Sequence, residues 1–115
     1  MSVHHEKRRY ARSPRTVCAW LSFQEDPSTY GTLTVDLGPG GARFGLLNPV
    51  EIDAKLILRL EIPPANIECK GCVRWTSLSA NGLHYFGVKF VDLSEGEFEA
   101  LAHFASENAS IGAAV

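Results

Sequence analysis

The chain has 115 residues, 45% of them hydrophobic and 21% charged, with a formal net charge of −2. This is the balance of one soluble globular domain with a modest core. No apolar run approaches the roughly 20 residues of a membrane helix, the basic N-terminus lacks the apolar segment of an export signal, and three cysteines are an odd number for a disulfide framework. Membrane insertion and export are argued against, and a cytoplasmic protein with reduced thiols is expected.

The cations are concentrated at the start. Residues 6–15, EKRRYARSPR, hold Lys7, Arg8, Arg9, Arg12 and Arg15 against Glu6, a local +4, so the other hundred residues carry −6 to reach the total of −2. An arm of this kind on an acidic body does not supply the extended basic face that DNA or RNA requires, and it suits a small anion better. Guanidinium forks grip phosphate bidentately and donate to the O6 and N7 acceptors of guanine. Arg8 and Arg12, four apart with Arg9 between them, are therefore the first candidate ligand-binding residues. The arm, residues 1–14, holds too few apolar residues to fold alone and is expected to be mobile until a ligand neutralises its mutually repelling arginines.

From residue 16 the pattern has period two. TVCAWLSF (16–23), TYGTLTVDL (29–37), GARFGLL (41–47), AKLILRLEI (54–62), IECKGCVRW (67–75) and LHYFGVKFV (83–91) read as six strands. Asp26-Pro27-Ser28, the GPGG of 38–41, Asn48-Pro49, Pro63-Pro64 and Asn81-Gly82 supply turns between them. Asn81-Gly82 is the sharpest, since both residues tolerate the positive φ of a hairpin. In the first strand Trp20 falls on the face opposite Val17, Ala19, Leu21 and Phe23, under the helix or on a partner surface. In the fifth, alternation sets Trp75 with Ile67, Cys69 and Val73 on the interior face. The period then changes: Ser94 with Glu97 reads as a capping box, and Phe98, Leu101, Ala102 and Phe104 follow at helical spacing, predicting a helix over 94–106 and a frayed tail over 107–115. Closely spaced antiparallel strands with one late helix predict an all-β fold, a small six-stranded antiparallel β-barrel whose closure removes exposed edges, with a C-terminal α-helix. Barrel and helix together would span residues 15–106.

Catalytic and metal motifs are weak. Cys69 and Cys72 have CxxC spacing, but within a strand residues i and i+3 point to opposite faces, so one buried and one surface thiol is the simpler reading. His84 and His103 are far apart, and no nucleophile–base–orienter set is visible. No enzyme activity, metal or cofactor is expected. What remains is the arm and the DLGPGG loop. Asp36 ends a strand as a carboxylate suited to the N1–H and N2–H donors of guanine, while Gly38, Gly40 and Gly41 let backbone approach a ligand. Arg43 stands where it can pair with Asp36 or touch ligand.

RRYAR, with RxxxR at Arg8 and Arg12, followed about two dozen residues later by DLGPGG, resembles the PilZ domain family. The resemblance continues through GARF, GCVRW and GVKF and covers roughly residues 6–105. It implies a β-barrel receptor, not an enzyme, for the bacterial second messenger cyclic di-GMP. Carried over residue by residue, Arg8 and Arg12 would hold phosphate and guanine with Arg9 as helper, Asp36 would accept from a guanine edge, and Gly41 would close the loop. Gly38 stands where the family's DxSxxG pattern has serine, so the element here is DxGxxG and weakened binding is expected. Trp75 is a further candidate, as an indole on which a base could stack. The expected partners are cyclic di-GMP and an unidentified protein effector, with no DNA or RNA, as a monomer or a ligand-linked dimer. The alternative is a degenerate PilZ-like module that binds no nucleotide and docks a motility or secretion component.

Overall fold

The computed structural model describes residues 13–64 and 66–107. Six strands form: β1 (Cys18–Phe23), β2 (Thr29–Leu37), β3 (Gly41–Leu46), β4 (Lys55–Leu60), β5 (Ile67–Leu78) and β6 (His84–Val91), followed by helix α1 (Glu95–Glu107). All neighbours are antiparallel, in the order β1-β2-β3-β6-β5-β4, and β1 pairs with β4 to close the barrel. Closure leaves no edge strand to be protected.

The period-two pattern is the cause of the fold. Along β4 the burial alternates strictly, with Leu56, Leu58 and Leu60 inside and Lys55, Ile57 and Arg59 outside. Leu21, Leu37, Phe44, Val73 and Phe86 complete the centre of the lumen, each buried to within 1%. Burying a side chain of this size contributes roughly 1.5–3 kcal/mol, so Leu58→Ala or Phe86→Ala, which also leaves a cavity, would cost about 2–5 kcal/mol. The polar groups inside are satisfied: Thr34 Oγ1 accepts from Val17 N–H at 3.0 Å, and among the described residues no buried side-chain nitrogen or oxygen lacks a partner.

The outside of the barrel repeats one device three times. Gly31, Gly45 and Gly87 each face outward beneath an aromatic ring of the adjoining strand, Trp20, Tyr85 and Trp75 respectively. The ring covers backbone that a glycine leaves bare. Trp20 is accordingly on the outer face, its indole N–H donating to Glu61 Oε2 at 2.7 Å and its ring lying under the Arg59 guanidinium at 5.8 Å.

The β5–β6 turn is wider than a two-residue hairpin. Ser79 N–H bonds the Leu83 carbonyl, only Gly82 takes positive φ (89°), and Asn81 acts through its side chain, whose Oδ1 accepts from Leu83 N–H at 3.0 Å. The capping box forms reciprocally. Ser94 N–H donates to Glu97 Oε1 at 3.0 Å and Glu97 N–H to Ser94 Oγ at 3.1 Å. α1 then buries Leu101, Phe104 and Ala105, the first two within the apolar cluster of the barrel. Cys69 and Cys72 part as the alternation requires, Cys69 buried in the core and Cys72 half-exposed.

Candidate ligand-binding site

Two β-bulges determine what the outer surface presents. Strict alternation along β2 would turn Asp36 inward with Tyr30, Thr32 and Thr34. An extra residue, Val35, sits between the Thr34↔Phe44 and Asp36↔Arg43 pairs and reverses the phase. Leu37 thereby enters the core opposite Ala42, and Asp36 is turned toward the outward-facing Arg43. Arg74 plays the same part in β5, between Val73↔Val88 and Trp75↔Gly87.

This second bulge corrects the sequence reading of Trp75. Alternation placed it inside with Val73, but it is 39% exposed and lies on the outer face, its ring over Gly87. A Cβ on Gly87 would stand 2.1 Å from Trp75 Nε1, so the indole is seated directly on bare backbone.

The cross-strand registers then join into one row. Asp36 on β2 opposes Arg43 on β3, Arg43 opposes Gly87 on β6, and Gly87 opposes Trp75 on β5. At about 4.8 Å per strand the row runs about 14 Å across the barrel. It sets a carboxylate, a guanidinium and an indole side by side on the outer face. Arg43 donates to Asp36 Oδ2 from both Nε (2.7 Å) and Nη2 (2.6 Å), with the Asp36 side chain 8% exposed and that of Arg43 38%. The sequence left open whether Arg43 pairs with Asp36; the structure shows the pair.

The loop after β2 is closed by its own backbone. Gly38 N–H bonds the Gly41 carbonyl and Phe90 N–H the Gly40 carbonyl, both near 3 Å. Gly41 is demanded by packing, since a Cβ there would lie 2.1 Å from the Val88 carbonyl oxygen. Gly38 is buried in the same loop.

Arg8, Arg9 and Arg12 lie outside the described residues. The end of their segment is nonetheless located: Ser13 N–H donates to the Leu37 carbonyl at 2.8 Å and Leu37 N–H to the Ser13 carbonyl at 3.0 Å. Ser13 is thus pinned beside the residue that follows Asp36. Two features of the site were not legible in advance, the outward turn of Trp75 and the Ser13 anchor. The glycine at 87, otherwise a poor strand residue, was the available signal for the first.

Among the described residues no three His, Cys, Asp or Glu side chains gather as a metal ion would require. None of the helices there is long and apolar enough to cross a membrane.

Comparison with known proteins agrees with the barrel fold. The Bacillus subtilis inhibitor of motility MotI/DgrA superposes with a TM-score of 0.77 at 18% identity, covering 87% of this chain and 50% of that one, so the present chain spans half its length. The PilZ domain of Escherichia coli YcgR, solved with c-di-GMP, gives 0.71 at 13% identity over 89% of this chain and 91% of its own. The PilZ domain of CeSA from a cellulose-synthesizing bacterium gives 0.62 at 12% identity over 84% and 95%. At such identities the likeness establishes the fold. No curated protein matches in sequence. PilZ domains are binding and adaptor domains without catalytic activity, and the sequence matches the description of that family, "PilZ domain", over residues 6–107, so the chain belongs to the PilZ domain family.

Proposed function

We propose that the protein is a bacterial, cytoplasmic receptor for cyclic di-GMP that acts as an adaptor toward a protein effector. The observation that carries this reading is the row Asp36–Arg43–Gly87–Trp75 with Ser13 pinned at its β2 end. Arg12 immediately precedes Ser13 in the sequence and Arg8 is five residues before it, a separation short enough for both to reach the surroundings of that anchor. Guanidinium groups for phosphate would then join a carboxylate for the guanine edge and an exposed indole for stacking on one face of the barrel. The solved structure of the YcgR PilZ domain with c-di-GMP supports the choice of ligand.

Binding would proceed as an ordering step. Ligand phosphates neutralise the cations of the arm, which folds back from Ser13 over Asp36, and the altered surface is presented to the effector. No covalent chemistry is required. Titration of cyclic di-GMP into isotope-labelled protein tests the assignment: shifts should concentrate at Asp36, Gly38, Gly41, Arg43 and the Trp75 indole N–H, with amides of residues 6–12 gaining order. Shifts confined elsewhere would contradict it.

A second reading, a nucleotide-free docking module for a motility or secretion component, is favoured by two particulars. Gly38 replaces the motif serine, and Arg43 already engages Asp36 with two donors. The similarity to a motility inhibitor is compatible with either reading. The same titration separates them, since the module would give no shifts at all.

A further inference from the structure

The end of the barrel away from the start of β5 carries a feature that the ligand row does not use. A cavity of about 540 Å³ opens there, bounded by the end of β1, the start of β2, the end of β3 and the segment that carries the chain from β3 across to β4. Its floor is apolar: Phe23, Tyr30, Val50 and Ala54 are half-buried and pack on the core.

Exposed apolar side chains lie at the same end. The three most exposed large hydrophobic side chains among the described residues are Leu47 (75%), Leu78 (66%) and Ile52 (57%), and all three belong to this end. Ile52 lines the cavity, Leu47 follows its lining residue Leu46, and Leu78 is joined to Leu46 through the pairs Leu78↔His84 and His84↔Leu46. Single exposed leucines are ordinary on protein surfaces. Three at the barrel end that holds an apolar-floored opening, one of them lining it, form the kind of exposed apolar group that interaction sites share.

The charges give the partner its sign. Glu25, Asp26, Glu51 and Asp53 line the opening against one cation, Lys55. Asp26 is held ionised to lower pH than an ordinary aspartate by the hydroxyl of Tyr30, which donates to it, and by Ser28 N–H. An apolar guest bearing carboxylates, or an anionic lipid surface, would meet repulsion here, whereas lysines or arginines flanking apolar anchors would meet complementary charge.

We propose that this open end of the barrel is a docking site for a basic amphipathic segment of a protein partner, with apolar anchors filling the cavity and cations on the Glu25/Asp26/Glu51/Asp53 rim. The site shares no residue with the Asp36–Arg43–Gly87–Trp75 row and does not depend on the nucleotide reading. It would let one small domain hold a partner at one place and a ligand at another.

A labelled, amphipathic leucine–lysine peptide serves as probe, with a leucine–glutamate peptide of the same pattern as its control and anionic phosphatidylserine vesicles as a third arm, all at moderate salt. The lysine peptide should bind saturably, shift the amides of residues 47–53, and bind at least tenfold better than the glutamate peptide; vesicles should not bind. Glu25→Lys/Glu51→Lys should weaken the lysine peptide about tenfold or more, and Leu47→Ser/Ile52→Ser/Leu78→Ser should do likewise; all five positions are exposed, so the fold is retained, checked by circular dichroism. Equal binding of both peptides, binding that either variant leaves unchanged, shifts mapping to another surface, or binding to vesicles alone would each overturn the proposal.

Discussion

Arg43 directs two donors, Nε and Nη2, onto one carboxylate oxygen of Asp36, Oδ2, across the β2–β3 pair. The Val35 bulge makes this possible by turning Asp36 out of the lumen. If the carboxylate accepts from a guanine edge, Asp36→Asn should weaken cyclic di-GMP by about 1.5–3 kcal/mol, roughly ten- to a hundredfold, because the charged acceptor is lost while the shape remains. Arg43→Lys cannot reproduce the two-donor geometry and should also weaken it. Calorimetric affinities, read beside urea midpoints to separate binding from stability, check both.

Trp75 rests on Gly87 with no room for a methyl group between them. Trp75→Ala should lower ligand affinity by about 1–3 kcal/mol, the worth of one base–aromatic stack. Gly87→Ala should lift the indole from its seat and cost about 1–3 kcal/mol of stability through overpacking. Calorimetric titration of cyclic di-GMP reports the first effect and urea unfolding followed by Trp75 fluorescence the second, with Trp20, held by Glu61 and Arg59, as the background common to wild type and variant.

The two glycines of the loop should behave differently. Gly38→Ser restores a hydroxyl and should tighten binding by about 0.5–1.5 kcal/mol, up to roughly tenfold. Gly41→Ala sets a methyl group against the Val88 carbonyl and should destabilise the β3–β6 pairing with or without ligand. Titration calorimetry of the first and thermal unfolding of the second distinguish a ligand role from a packing role.

Burial pushes the Cys69 thiol up to about 12, with the Glu97 and Glu68 carboxylates adding to the effect. Above the ordinary thiol value near 9 the unfolded chain releases this proton while the fold retains it. The folded state then binds more protons, so the Cys69 contribution to stability is whole below pH 9 and is lost between about 9 and 12, at no more than about 1.4 kcal/mol per pH unit. Urea unfolding at pH 8 and 10.5 should show this fall in the wild type and less of it in Cys69→Val. In the native protein exposed Cys18 should react with a thiol reagent while Cys69 does not.

The six strands, the helix and its cap were legible because each depends on local chemistry. Leucines alternate with charges along β4, and Ser94 and Glu97 stand three apart. Strand ends were less so: β5 runs on to Leu78, where a polar, exposed stretch is held by pairing to β6. Trp75 was misplaced because one bulge reverses every side chain after it, and nothing in the alternation of β5 marks Arg74 as the extra residue. Asp36 illustrates the converse. Its motif spacing found it, but only the register with β3 shows that Arg43 is its neighbour.

Calorimetric titration of cyclic di-GMP into the wild-type protein and into Arg8→Ala/Arg12→Ala, with GTP as competitor, tests the receptor assignment most directly. Saturable binding that the double variant loses and GTP does not displace is the predicted result, and it would also give the stoichiometry. A flat trace for the wild type, with no ligand-induced chemical shifts, would contradict the assignment.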